Sequence, residues 1–544
     1  MKGRGPPPDR PAPGRVFLAG AEAARALDEE ASAEWGLSPF ALVEAAGRNC
    51  ARRFAEWYGL PLARLRVTAR AGPGKNGADA LVLLRALVLE HGLLPRNAAA
   101  LLSRLPGPGE ISPRAGAARA LEAMGITVRP WDGAGEALLK SPHIIIDGIA
   151  GTGLSGPLRD IPLAMAAALN RAREGAGAGG EGGAPERPLV VSIDVPSGVG
   201  DAFRPPWPAV TADAVLAVEP VKFALYKPAA RCFAGAVLPV GGIFPAALVE
   251  KYGGAELLGW ESARARIPPV PPDACKYDRG VAEIRAGSAG SAGAARIAAK
   301  GAQAAGAGLV RLAVDVSLYP VLAVSAGGVM VFEEGSAADD SGRFRPDALL
   351  LGPGWGRGDS RKAALEAAIR QEGEGTPLVL DADAIALAKG RVFCGNTVLT
   401  PHPGELANFA GVSKEELAAD PLSILKDAAG KAKAVILFKT AVLIIAGPED
   451  SGHRLAVVDG MAPALGAGGS GDLLAGLCAG IAARVRAQSL RGGSAAPVDV
   501  FACAAAAAAL LIASAGTPVS RRFADPLDLA RAAAALAGDA WLPL

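Results

Sequence analysis

Histidine is scarce in this chain, at 4 in 544 residues, and its 6 cysteines (Cys50, Cys232, Cys275, Cys394, Cys478, Cys503) never form a CxxC pair. Thiols scattered in this way argue against a disulfide framework or a cysteine-built zinc site, fit a reducing compartment, and predict a cytoplasmic protein. An excess of one charge is also missing. With 56 Lys and Arg against 54 Asp and Glu the net charge is +2, so nothing marks a nucleic-acid or membrane partner. The longest apolar run, Val500–Ala515, is too short and too rich in alanine to span a bilayer and predicts a buried helix. Met1–Arg15 is rich in Pro and Arg, lacks an apolar stretch of signal-peptide length, and reads as a disordered tail. Small molecules remain as the expected ligands.

A chain this long exceeds one hydrophobic core. Short apolar runs at Arg64–Ala69, His143–Asp147, Leu189–Asp194, Leu309–Val314, Ala348–Leu351, Leu378–Asp381, Asn396–Thr400 and Ala434–Phe438 alternate with Ala-rich helical stretches. That alternation predicts mostly parallel sheets covered on both faces, with ligands at the carboxyl ends of the strands. The pattern breaks at Pro268, Pro269, Pro271 and Pro272, which divides the chain into α/β domains at 16–248 and 274–544 joined by a linker at 249–273. Residues 171–188 read as a flexible insertion and Arg484–Pro497 as a loop of low order.

The first half carries three strand-end loops. Gly72-Pro73-Gly74-Lys75-Asn76-Gly77-Ala78-Asp79-Ala80 opens a helix, a setting in which glycines bring backbone amides close to phosphate or ribose. Asp147-Gly148-Ile149-Ala150-Gly151-Thr152-Gly153-Leu154-Ser155-Gly156 and Asp194-Val195-Pro196-Ser197-Gly198 each begin with a carboxylate at a strand end. Each alone is ordinary turn chemistry; three on one sheet edge point to a shared pocket.

In the second half, Gly466-Ala467-Gly468-Gly469-Ser470-Gly471-Asp472 leads into an apolar helix. Its glycines and helix start form an anion cradle, and Asp472 stands in the first turn as a base or as a cap. Thr400-Pro401-His402-Pro403-Gly404-Glu405 holds one of the few histidines between two prolines, beside Glu405. Gly352-Pro353-Gly354-Trp355-Gly356 and Asp381-Ala382-Asp383-Ala384 follow further strands, and Lys439 is placed to meet a phosphate as a point charge.

With Leu42–Ala51, where Glu44 sits on a helix, the first three loops resemble the NAD(P)H-hydrate epimerase domain over about residues 16–244. The resemblance implies a Rossmann-like three-layer α/β/α domain. In it Lys75, Asn76, Gly77, Ala78, Asp79, Gly151, Thr152, Gly153, Leu154, Ser155, Gly156, Pro157 and Asp194 hold the hydrated nucleotide, while Asn76, Asp147 and Ser197 bind a potassium ion. Asp147 is the expected proton-transfer carboxylate, and Lys222 is a family-position lysine without a fixed role. Lys75 stands where the family has Asn, and Ala78 and Ala80 stand where it has glycine; the added methyl groups are expected to narrow the pocket.

Lys276-Tyr277-Asp278-Arg279-Gly280, the glycine turns near Gly287 and Gly306, and the GPGWG, DADA, TPHPGE, Phe438-Lys439 and GAGGSGD segments resemble the ADP-dependent NAD(P)H-hydrate dehydratase domain, which has a ribokinase-like α/β fold. That resemblance implies a hydrate site at Ala294, Gly354, His402 and Asp472, and an ADP site at Lys439, Thr440, Ala441, Val442, Leu443 and Gly471, with magnesium carried by the nucleotide. Asp472 would take the proton of the C6 hydroxyl, which attacks the terminal phosphoryl of ADP; phosphate and AMP are released. Cys275, the segment at 325–328 and Thr440 depart from the family pattern. Both domains in one chain resemble the bifunctional hydrate repair family, with NADHX and NADPHX as substrates, and a homo-oligomer is expected. The rival readings are a ribokinase-type small-molecule kinase, and a dehydratase fused to an inactive epimerase-like nucleotide-binding domain.

Overall fold

The computed structural model describes residues 15–132, 142–174, 187–336, 345–448, 454–493, 497–517 and 525–543. The predicted tail up to residue 14 and the centre of the predicted insertion, 175–186, lie outside the described residues. Residues Arg171–Glu174 of that insertion instead end the helix Asp160–Glu174. The chain divides into two compact units between Glu256 and Leu257, within the 249–273 segment. That segment is not bare linker: it contains the end of the helix Ala246–Tyr252 and the helix Trp260–Arg264.

The first unit holds a seven-stranded, wholly parallel sheet in the order Thr127–Pro130, Ala98–Leu102, Val67–Ala71, Ile144–Gly148, Leu189–Ile193, Ala212–Val218, Ala234–Val240. The central strands are buried along their whole length, as a sheet covered on both faces requires. Chain order reverses direction between Val67–Ala71 and Ile144–Gly148, and at such a switch point the loops diverge and leave a crevice beyond the strand ends.

In the second unit the strands run Met330–Glu333, Leu309–Val314, Val281–Arg285, Ala348–Leu351, Leu378–Leu380, Thr397–Leu399, Val435–Lys439, all parallel. Two antiparallel strands, Val442–Ala446 and Leu455–Asp459, continue the sheet. The predicted buried helix appears at Val500–Ala515. The predicted loop Arg484–Pro497 is helical as far as Arg491, and its residues 494–496 lie outside the described residues; within the helix Ser470–Arg491, Arg484 is fully buried, its guanidinium 4.5 Å from the Trp541 ring and its Nη1 donating to Pro268 O at 2.7 Å. The guanidinium lies over the indole as a cation–π contact, which holds a charged side chain inside the packed helix.

The helix Ser470–Arg491 lies backbone to backbone on the helix Ala292–Ala304. A Cβ on Gly476 would stand 2.1 Å from Ala298 O, one on Gly480 2.5 Å from Ala302 O, and one on Gly301 2.6 Å from Leu473 O. Only hydrogen fits at these three positions.

Candidate active sites

The first unit has a cleft of about 970 Å³ at its switch point. The strand Val67–Ala71 runs out through Gly72, where a Cβ would fall 1.7 Å from Ile149 O, so only glycine permits the two loops to touch. The helix Lys75–Glu90 then starts on Gly74, which offers no side-chain cap, so the first-turn amides stay available to an anion. Asn76 anchors the arrangement. Its Nδ2 donates to Ile193 O at 2.9 Å, and its Oδ1 lies 2.3 Å from where a Cβ on Gly151 would be.

Asp147, one residue before the end of its strand, is fully buried. Its Oδ2 accepts from Ser192 Oγ at 2.7 Å and Ser197 N at 2.9 Å, and its Oδ1 accepts from Ser197 Oγ and Ile149 N. Burial raises its pKa, and these donors oppose the rise. Ser197 Oγ also accepts from Ala150 N at 2.9 Å. Asn76, Asp147 and Ser197 thus supply amide, carboxylate and hydroxyl oxygens, the hard donor set that suits a potassium ion.

Asp194, at φ 65° and almost fully buried, lines the cleft and accepts from Lys222 Nζ at 2.7 Å. Burial lifts its pKa, and Lys222 counters part of the rise. Lys222 also donates to Val218 O at 3.0 Å. Asp79, on the opening helix, lines the same cleft.

The second unit has a cleft of about 590 Å³ lined by His402, Lys439, Thr440, Ala441, Leu443, Ser470 and Gly471 among others. Gly469, at φ 97°, turns the glycine loop into the helix Ser470–Arg491, whose start has no side-chain cap, leaving first-turn amides and the positive helix end able to receive an anion. Lys439 Nζ pairs at 2.6 Å with Asp381, which is buried and also accepts from Thr400 Oγ1 at 2.7 Å. Burial disfavours the Lys439 charge, but Asp381 outweighs it and holds the ammonium above its usual pKa. Asp472 in the first helical turn is half-buried; burial, then the Asp381 charge, push its pKa up to about 6, against the pull of Lys439. His402 caps the helix Pro403–Ala410. Its Nδ1 accepts from Gly404 N at 3.0 Å, while Glu405 accepts from His402 N at 2.9 Å. Accepting at Nδ1 leaves Nε2 as the protonated nitrogen of the neutral ring.

Residues 39–224 match the family model described as YjeF-related protein N-terminus, and residues 282–527 match the one described as NAD(P)H-hydrate dehydratase. A protein of Coxiella burnetii named bifunctional NAD(P)H-hydrate repair enzyme Nnr is 30% identical over 87% of this chain and 91% of its own length. A Thermofilum pendens protein of the same name is 32% identical over 84% and 85%. The chain belongs to the bifunctional NAD(P)H-hydrate repair enzyme family. A Xanthomonas campestris protein named ADP-dependent (S)-NAD(P)H-hydrate dehydratase is 36% identical over 41% of this chain and 79% of its own. Among solved structures, a ribokinase-like superfamily protein of Enterococcus faecalis is 22% identical, with TM-score 0.45, over 53% of this chain and 98% of that one.

For a member of this repair family, the structure gathers most of the predicted residues. Lys75, Asn76, Gly77, Asp79, the loop Gly151–Pro157 and Asp194 all line the first cleft. Ala78 does not. It and Ala80 are buried on an ordinary helix, packed into the core, so their methyl groups do not narrow the pocket. Asp147 is also absent from the lining, with Ser192, Ser197 and Ile149 donating to its carboxylate, so Asp194 is the strand-end carboxylate that meets the ligand space of this cleft. In the second unit Lys439, Thr440, Ala441, Leu443 and Gly471 line one cleft, whereas Val442 is fully buried within its strand. His402 stands with that group. Ala294 and Gly354 meet separately, a Cβ on Gly354 falling 3.2 Å from that of Ala294. Sequence reasoning missed the cleft wall built from the helix Ala21–Glu34, including Asp28, which pairs with Lys75 at 2.6 Å. It also left Asp381 without a role, although a carboxylate at a strand end was the available signal.

Proposed function

We propose that this chain is a metabolite repair enzyme acting on hydrated nicotinamide nucleotides. Residues 16–248 interconvert the R and S forms of NAD(P)HX, and residues 274–544 dehydrate the S form to NAD(P)H at the expense of ADP, releasing AMP and phosphate. The observation that carries the reading is the half-buried Asp472 in the first turn of the glycine-led helix, beside the Lys439–Asp381 pair. A hydroxyl is a poor leaving group from C6. Asp472 takes its proton as the oxygen attacks the terminal phosphoryl of ADP, and the Ser470 and Gly471 amides with Lys439 stabilise the charge that develops. The new C6 phosphate then departs, pushed by the ring nitrogen, and loss of the C5 proton restores the dihydronicotinamide. Magnesium arrives with the nucleotide phosphates.

In the first cleft the proton-transfer role passes from Asp147 to Asp194, which meets the ligand space and is held by Lys222. Asn76, Asp147 and Ser197 would hold potassium, which would supply fixed positive charge for the nucleotide phosphates. The unpaired cysteines fit a cytoplasmic setting, and sedimentation tests the homo-oligomeric state. No helix among the described residues is long and apolar enough to cross a membrane.

The test is recovery of 340 nm absorbance from S-NADHX with ADP and magnesium, then from mixed epimers, with Asp472→Asn as control. Recovery of the S form that vanishes in the variant supports the dehydratase; complete recovery of the mixture above the spontaneous rate supports the epimerase. No ADP- or ATP-dependent recovery would sink the dehydratase reading in favour of a small-molecule kinase.

A further inference from the structure

Two buried carboxylates, Asp79 and Asp194, and one buried lysine line the first cleft. Asp194 holds that lysine, Lys222, which also donates to the backbone carbonyl of Val218. Asp79 lines the same cleft at 8% exposure, and its Oδ1 is buried with no hydrogen-bond partner among the described residues. An anionic oxygen in that position would be desolvated without a donor, a cost a neutral carboxyl largely avoids. Two buried like charges that act on each other favour one group keeping its proton, and the carboxyl that does not pair with Lys222 is the one that keeps it.

We propose that Asp79 is a protonated catalytic acid that works opposite Asp194, the base, in epimerisation. The inference rests on the reading of the first unit as an NAD(P)H-hydrate epimerase. The reacting carbon, C6, carries a hydroxyl and the ring nitrogen N1. Asp194 removes the hydroxyl proton, the oxygen forms a carbonyl to C6, and the C6–N1 electron pair moves to N1, which takes the proton of Asp79. Rotation of the freed aldehyde presents its other face. N1 then attacks it, Asp79 regains its proton from N1, and Asp194 returns its own to the oxygen, so the configuration inverts with no net change in either group.

The charged and titratable groups that act on Asp79 or are acted on by it are Asp28 from the helix Ala21–Glu34, Cys50 from the helix Pro39–Tyr58, Lys75 on its own helix, Asp194 after its strand, and Lys222. Burial, followed by the Asp194 charge, raises the Asp79 pKa well above the ordinary carboxylate range, while Lys222 pulls against it. Wild-type epimerisation should therefore fall at alkaline pH as Asp79 ionises.

The experiment uses the full chain and follows conversion of the R epimer, with dehydration of pure S epimer as an internal control. Asp79→Asn should lower kcat for epimerisation by about 10²- to 10⁴-fold with KM nearly unchanged, abolish the alkaline limb of the residual rate, and leave S-epimer dehydration intact. A variant with wild-type kcat overturns the proposal, as does a variant that loses rate but keeps the alkaline limb. Should Asp79→Asn fail to fold, the wild type alone decides: an epimerisation kcat with no alkaline limb overturns the proposal. Wild-type protein that dehydrates the S epimer but never converts R defeats the epimerase reading itself, a result distinct from a working epimerase indifferent to Asp79.

Discussion

Lys439 Nζ stands 2.6 Å from Asp381 Oδ1 and 3.2 Å from the position a Cβ on Gly471 would occupy. One ion pair therefore joins two strand ends to the first turn of the helix that carries Asp472, and fixes a cation against the anion-binding amides. The first unit repeats the scheme with Asp194 and Lys222 at 2.7 Å.

Asp381→Asn leaves the Lys439 ammonium buried without its counter-charge. We expect a loss of about 3–5 kcal/mol of stability, read from the denaturation midpoint of the second unit, together with weakened ADP use. An unchanged midpoint would show that the pair contributes nothing to the fold.

Gly471→Ala sets a methyl group 3.2 Å from Lys439 Nζ, so the ammonium must shift by a few tenths of an ångström at the phosphate loop. Dehydratase kcat/KM for ADP should fall by about 10²-fold, while R-to-S conversion by the first unit stays at its wild-type rate.

Because Asp472 must be ionised to act as a base, dehydratase kcat/KM should rise with pH through about 6 and then level off. The same shift has a cost in stability. A carboxyl whose pKa is 3.8 unfolded and about 6 folded stabilises fully only below the lower value, and that contribution is lost as pH rises through the upper one. Asp472→Asn should therefore be more stable than wild type at pH 7, the difference shrinking toward pH 4, although inactive. Thermal melts across that range check the sign.

Ser197→Ala removes the hydroxyl that donates to Asp147 and accepts from Ala150 N. The expected loss is about 1–3 kcal/mol in the first unit, with epimerisation that added potassium chloride fails to restore. Epimerisation equal to wild type would dismiss the potassium ligand set.

The strands rich in β-branched and leucine residues were legible in the sequence because buried parallel strands require near-continuous apolar runs; Leu309–Val314 and Ala348–Leu351 appear with the predicted bounds. Ala98–Leu102 was missed because alanine signals helix as readily as strand, and Val442–Ala446 because it begins three residues after the preceding strand. At the sites, the glycine loops were readable since each is local. The pairs Asp194–Lys222 and Asp381–Lys439 were not, because sheet topology alone brings them together. Asp147 misled for a related reason: a strand-end carboxylate looks the same in sequence whether it faces ligand or is enclosed by two serines.

The close approach of the helix Ser470–Arg491 to the helix Ala292–Ala304 extends the reach of the dehydratase site well beyond its lining. Gly480 sits eight residues, about 12 Å, along the axis from Asp472, yet any side chain there must slide the whole helix off Ala302 O and carry the base with it. A saturation screen scored on turnover would mark Gly476, Gly480 and Gly301 as intolerant and set them beside the chemistry on a functional map. Those positions behave as the bearing on which the base is aligned, so diversity introduced to retune substrate choice should leave that seam untouched.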